Sequence, residues 1–108
     1  MFERRRFPRY DCSYNVDYYT YGLASLEGRS IAEDISRGGI RLSLSRIIRK
    51  GDVLNMDIRP SKKEYPISAR GRVKWVQQAK DTTPFNVNAG IEFLSIEPND
   101  IDKLLHVI

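Results

Sequence analysis

Apolar residues return at every second position in separate short stretches of this chain, and that period decides what it can become. Successive side chains on an extended strand point to opposite faces, so such a pattern makes one face apolar and leaves the other polar. The longest run covers residues 66–77, with Ile67, Ala69, Gly71, Val73 and Trp75 on one face and Arg70, Arg72 and Lys74 on the other. Among the shorter runs, residues 13–21 carry Tyr14, Val16 and Tyr18, and residues 39–44 carry Ile40, Leu42 and Leu44. A further run carries Leu54, Met56 and Ile58, and residues 85–93 carry Val87, Ala89 and Ile91. Residues 29–35 complete six predicted strands, and Gly, Pro and polar clusters separate them all. Six short strands in succession predict an all-β antiparallel barrel or sandwich.

Both ends of the chain break the alternation. Ile101, Leu104, Leu105 and Ile108 fall at helical spacing, with Pro98 and acidic residues upstream, which predicts a helix over 97–108. Residues 1–10 show no period, and Pro8 has no N–H to give to a ladder, so they read as a flexible basic arm. A single domain over residues 1–108 follows, with arm 1–10, barrel 11–94 and helix 97–108.

Between the second and third predicted strands lies Asp34-Ile35-Ser36-Arg37-Gly38-Gly39. Asp34 and Ser36 are two apart, which on an extended chain gives one face a carboxylate and a hydroxyl. Gly38 and Gly39 permit a tight turn with positive φ and let a ligand approach the main chain. Far upstream, Arg5 and Arg9 stand four apart within Glu3-Arg4-Arg5-Arg6-Phe7-Pro8-Arg9. Guanidinium groups grip phosphate bidentately and stack on planar rings, while a carboxylate and a hydroxyl accept hydrogen bonds from N–H donors. Together these groups suit a ligand that carries both phosphates and hydrogen-bonding bases.

The R-x-x-x-R of Arg5 and Arg9, followed by the D-x-S-x-x-G of Asp34, Ser36 and Gly39, resembles the PilZ domain family. Gly90-Ile91-Glu92-Phe93 is similar to the glycine-apolar-x-Phe run of that family's last strand. The resemblance implies a six-stranded antiparallel Greek-key barrel with a C-terminal helix. It also implies a nucleotide-binding receptor for cyclic di-GMP, acting in bacterial second-messenger signalling with no metal and no other cofactor. The ligand residues it implies are Arg5, Arg9, Asp34, Ser36 and Gly39. Arg4, Arg6, Gly38 and Trp75 are second-tier candidates, because Trp75 on its strand face reads first as a core residue. On this reading the ligand orders the arm, and the new surface is presented to an unidentified downstream protein.

Charge and composition fit that picture. The net charge is +4, and four arginines against one glutamate fall within the first ten residues, which calls for an anionic partner. One cysteine, Cys12, excludes an intrachain disulfide and suits a reducing, cytoplasmic setting. No apolar run approaches the ~18 residues that a membrane span needs, and no signal-peptide core is visible at the start. Catalysis finds no support: the one histidine, His106, has no metal-ligand spacing around it, and no phosphate-binding loop signature occurs. The competing class is a small basic barrel that binds single-stranded nucleic acid, stacking bases on Phe7, Tyr18, Tyr19 and Tyr21. Asp11 and Asp17 interrupt those aromatics, and a carboxylate in the site repels a polyanion, so nucleic acid is the weaker reading.

Overall fold

In the computed structural model, residues 7–20, 27–46, 48–62, 64–78 and 87–106 are described. Six strands occur in the predicted order: β1 (Tyr10–Tyr19), β2 (Glu27–Ile35), β3 (Gly39–Leu44), β4 (Val53–Arg59), β5 (Ile67–Gln78) and β6 (Val87–Ile96). One helix, α1 (Pro98–His106), follows them. The strands close into a barrel in the order β1-β2-β3-β6-β5-β4, with every pair antiparallel. Closure leaves no edge strand, which removes the usual site of unwanted pairing.

That order places β3 and β4 diametrically opposite each other, so the chain between them must cross the barrel, whereas the other sequential strands are direct neighbours. Ile48 is buried within the crossing and anchors it to the core. Gly51 turns the chain with φ of 95°, a conformation open to glycine at no steric cost. The adjoining turn is tied to β5, since Gly51 N–H donates to the Val73 carbonyl at 2.8 Å and Val73 N–H donates to the Asp52 carbonyl at 2.9 Å.

The alternation does what its period implies. Tyr14, Val16 and Tyr18 point inward from β1, Leu54, Met56 and Ile58 from β4, and Val87, Ala89 and Ile91 from β6. One end of this core is covered by α1. Pro98 opens the helix where its missing N–H costs nothing, and Asp100 lies in the positive first turn. Ile101 and Leu104 are buried, and the Tyr14 hydroxyl donates to the Leu104 carbonyl at 2.5 Å.

Trp75 departs from the sequence reading. It is 40% exposed and not a core residue. Val73 pairs with Ile91 and Trp75 with Gly90, so Lys74 is an extra residue in β5. The bulge reverses the parity of the strand and turns Trp75 outward. Tyr10, counted with the arm from sequence, already pairs with Ile35 and opens β1.

Candidate functional site

The loop between β2 and β3 has only three residues, 36–38, and it is held from several sides. Ser36 N–H donates to the Gly39 carbonyl at 2.9 Å, and Gly38 N–H donates to Ser36 Oγ at 3.1 Å. Phe93 N–H in β6 donates to the Gly38 carbonyl at 2.9 Å. Ser36 is buried, with its hydroxyl used inside the loop. Neither glycine has a positive φ; Gly51 alone does among the described residues. The turn is therefore made without the left-handed geometry that the glycine pair suggests. Close approach explains Gly39: a Cβ there would lie 2.2 Å from the Ile91 carbonyl oxygen, a backbone atom that cannot move aside. At Gly38 a Cβ would lie 3.2 Å from Cδ2 of Phe7, whose ring rests over the loop.

A second bulge aims the carboxylate. Ala32 pairs with Leu42 and Asp34 with Arg41, so Glu33 is the extra residue in β2. Simple alternation would put Asp34 on the inward face with buried Ala32; the extra residue sends Asp34 out and leaves Ile35 in the core. Arg9 Nη1 donates to Asp34 Oδ1 at 2.7 Å, and Arg41 Nε donates to Asp34 Oδ2 at 2.7 Å. Arg41 Nη1 also meets Glu33 Oε2 at 3.1 Å. The Asp34 side chain keeps only 14% of its surface exposed, against 30% for Arg9 and 34% for Arg41. Its hydrogen bond, followed by its charge and that of Glu33, holds the Arg41 guanidinium even more firmly protonated than usual. Asp11 pairs with Asp34 across β1 and β2, so the two arginines also offset a carboxylate pair.

Arg37, at the tip of the loop, reaches α1: its Nη2 meets Asp102 Oδ1 at 2.5 Å. Cys12 lies half-buried in a β1 irregularity and donates to the Ala32 carbonyl at 3.5 Å. Burial pushes its thiol up to about 11, with the nearby Asp34 and Asp11 carboxylates adding to the effect.

Of the residues singled out by sequence, the structure brings Arg9, Asp34, Ser36, Gly38 and Gly39 to one end of the barrel. Arg4, Arg5 and Arg6 lie outside the described residues. Trp75 is connected to Asp34 only through a row of cross-strand pairs. Direct cross-strand partners run Asp34–Arg41–Gly90–Trp75 from β2 to β5. The indole covers Gly90, where a Cβ would meet its Nε1 at 2.0 Å. Arg41 and Glu33 are the members that motif reading does not assign to the site. Their positions depend on a register that the β2 bulge sets, and no sequence period announces it.

Other sequence expectations meet the structure unevenly. Tyr18 is buried at 1% exposure, so it offers no stacking platform to a nucleic acid; Tyr21 lies outside the described residues. Among the described residues no cluster of three or more His, Cys, Asp or Glu side chains is arranged for a metal ion. No helix among them is long and apolar enough to cross a membrane.

Solved proteins share this fold. The chain is similar in fold to the Bacillus subtilis inhibitor of motility MotI/DgrA, with a TM-score of 0.72 and 23% identity over 97% of this chain. It spans about half of that protein, covering 49% of its length. It is also similar to the PilZ domain of YcgR from Escherichia coli, solved with c-di-GMP, with a TM-score of 0.72 and 16% identity, covering 98% of this chain and 89% of that one. A third is MrkH from K. pneumonia in complex with c-di-GMP, with a TM-score of 0.69 and 15% identity, covering 98% of this chain and 51% of the other. No curated protein matches the sequence significantly. The family model of the PilZ domain matches residues 3–108, nearly the whole chain, and with that match the chain belongs to the PilZ domain family.

Proposed function

We propose that this domain is a cyclic di-GMP receptor, a binding module and not an enzyme, that works in the cytoplasm. The observation that carries the reading is the 2.7 Å contact between Arg9 and Asp34, which joins the second residue of one family motif to the first of the other. YcgR and MrkH, similar in fold, are named in complex with this nucleotide. The ligand set is Arg5, Arg9, Asp34, Ser36 and Gly39, with Arg4, Arg6, Gly38 and Trp75 beside it.

The pairing of Asp34 gives binding the character of an exchange. Oδ1 holds Arg9 and Oδ2 holds Arg41. A phosphate of the ligand takes the Arg9 guanidinium, which frees Oδ1 for the N1–H and N2–H₂ edge of guanine. Arg41 keeps Oδ2 and holds the carboxylate in place throughout. One charge-assisted contact is given up and at least two are made, each worth ~1.5–3 kcal/mol. Arg5 and its neighbours then close over the ligand, so that occupancy fixes the arm and offers a downstream protein a new surface. Phe7, already resting against Gly38, is the pivot of that movement. No metal and no second cofactor enters the scheme.

Isothermal titration with cyclic di-GMP tests this directly. Saturable binding in the micromolar range is expected, with Arg9→Ala weaker by roughly 10- to 150-fold. Cyclic di-AMP lacks the paired donors, so the wild type rejects it and Asp34→Ala discriminates less. No heat at tens of micromolar nucleotide overturns the function. Equal losses for both nucleotides in Asp34→Ala remove Asp34 from the base pocket. For the arm, backbone order parameters of residues 3–9 are expected to rise toward ~0.85 on binding; values that ligand leaves unchanged sink the signalling scheme alone.

A further inference from the structure

Apart from Trp75, the outer face of β5 has features that the proposed ligand set does not include. Arg70, Arg72 and Lys74 stand at every second position and are all exposed. None of the three is ion-paired to another described residue, whereas Arg9, Arg37, Arg41 and Arg59 all are. The crossing connection adds exposed Arg49 and Lys50 beside β5, where Gly51 bonds to Val73. Glu92, across from Arg72, is the one carboxylate in direct register with the three cations.

Apolar groups flank this stripe, and the fold puts them outside by design of its register. The Lys74 bulge turns Trp75 out. In β6, Arg70 pairs with Ser95 and Gly71 with Phe93, so Leu94 is the unpaired extra residue and is 42% exposed. Val76 is 36% exposed. Beside Arg70 the face dips into a hollow of about 140 Å³, lined in part by Tyr19, Asn55, Ser68 and Ser95. Three cations without an ion pair among the described residues, exposed leucine and tryptophan side chains and an adjoining hollow make a recognition surface out of an otherwise ordinary solvated strand face.

We propose that this face docks an extended acidic segment of a partner protein, with carboxylates at every second residue. Alternate residues of a strand lie about 6.8 Å apart. An extended peptide laid along β5 presents its own alternate side chains at the same interval, so each cation meets one carboxylate. Over residues 69–72 the β5 main chain pairs with β4 on one side and β6 on the other, and Val73 bonds to the crossing connection, so recognition there falls to side chains. A protein segment fits better than a nucleic acid, because two of the three flanking apolar groups, Val76 and Leu94, are aliphatic and provide no stacking surface. The face meets the nucleotide row at Trp75, yet the docking argument stands without any nucleotide.

The test uses the whole domain and two synthetic heptapeptides of one composition. One has the order Leu-Glu-Thr-Glu-Thr-Glu-Leu, and its isomer has the order Leu-Glu-Glu-Glu-Thr-Thr-Leu. Amide shifts map the site, and Trp75, the one tryptophan in the chain, reports by fluorescence. The alternating peptide is expected to shift β5 and β6 amides and to bind at least threefold tighter than its isomer. The combined variant R70E/R72E/K74E, checked for an unchanged melting temperature and circular dichroism, is expected to lose about tenfold in affinity. Equal binding of both isomers, shifts away from β5, or an undiminished affinity in the variant each overturns the proposal. So does an oligothymidylate of equal charge that binds the same amides more tightly than the peptide.

Discussion

Two arginine-rich regions of this barrel treat charge in opposite ways. Around the β2–β3 loop each described arginine has a carboxylate partner: Arg9 and Arg41 hold Asp34, and Arg37 holds Asp102. Along β5 the cations have none among the described residues, and apolar side chains stand exposed beside them. The loop is thus internally neutralised and mechanically tied to β1, β6 and α1. The β5 cations are exposed and have no ion pair among the described residues. A region whose charges are already paired has to exchange partners before it can take a new one, and its residues serve structure. A region of unpaired charges can gain a partner without rearrangement, and its residues add little to folding. Substitutions separate the two.

The largest difference is expected at Gly39. A methyl group there meets the Ile91 carbonyl oxygen at 2.2 Å, so β3 and β6 must part locally. Gly39→Ala is expected to cost about 3 kcal/mol of unfolding free energy in urea. A loss below about 1 kcal/mol would show that the loop is softer than its hydrogen bonds imply. Next comes Asp34→Ala, which leaves the Arg9 and Arg41 guanidiniums side by side with one fewer carboxylate. A cost of about 1–3 kcal/mol is expected, reduced in high salt if repulsion dominates. Arg41→Ala should fall in the same range, because it releases both Asp34 and Glu33. A stability no different from wild type in both variants would break the claim that this region is structurally committed.

A smaller effect tests the packing beneath the loop. The Cys12 thiol is raised from 9.0 to about 11 by burial, so the folded state prefers the protonated form. Its contribution is fully present below pH 9 and is lost as pH rises through about 11. Tyr14 and Tyr18, also raised by burial, act in the same direction. Stability measured from pH 8 upward should therefore decline, and less steeply in Cys12→Ser. Iodoacetamide should label the folded thiol far more slowly than the urea-unfolded one at pH 8. Equal labelling rates would mean that the thiol is not shielded.

The smallest change belongs to β5. Arg72→Ala and Leu94→Ser should each shift stability by no more than about 0.5 kcal/mol. Lys74→Glu should be neutral or slightly stabilising, since it relieves like-charge repulsion along the strand. A loss above about 1.5 kcal/mol in any of them would erase the contrast between the regions.

How far the chain's own pattern reaches is visible in particular residues. Every-second apolar spacing gave Val16, Leu42, Met56 and Ile91 their inward places, because a strand has a fixed period of two and burial rewards one face. Helical spacing with Pro98 at the start located α1 for the same kind of reason. The motif glycine at position 39 also carried its own message, that the backbone there is closely approached, although the partner turned out to be the Ile91 carbonyl and the φ ordinary. These properties are local, and a local period or a missing Cβ records them.

Register and bulges are not local. One extra residue, Glu33, turns Asp34 outward toward Arg9 and Arg41, and another, Lys74, takes Trp75 from the core to the surface. Each insertion is defined only against the opposite strand, since a strand bulges where its neighbour has one residue fewer to pair. The union of Arg9 with Asp34 likewise depends on β1 and β2 being neighbours, and the row from Asp34 to Trp75 on β3, β6 and β5 following in that order. The sequence by itself determined where the strands and helix lie, which residues carry the family's motifs and, away from the bulges, which strand faces are buried. Tertiary structure alone decided which charges meet, because pairing between strands is a relation among distant segments and no single segment contains it.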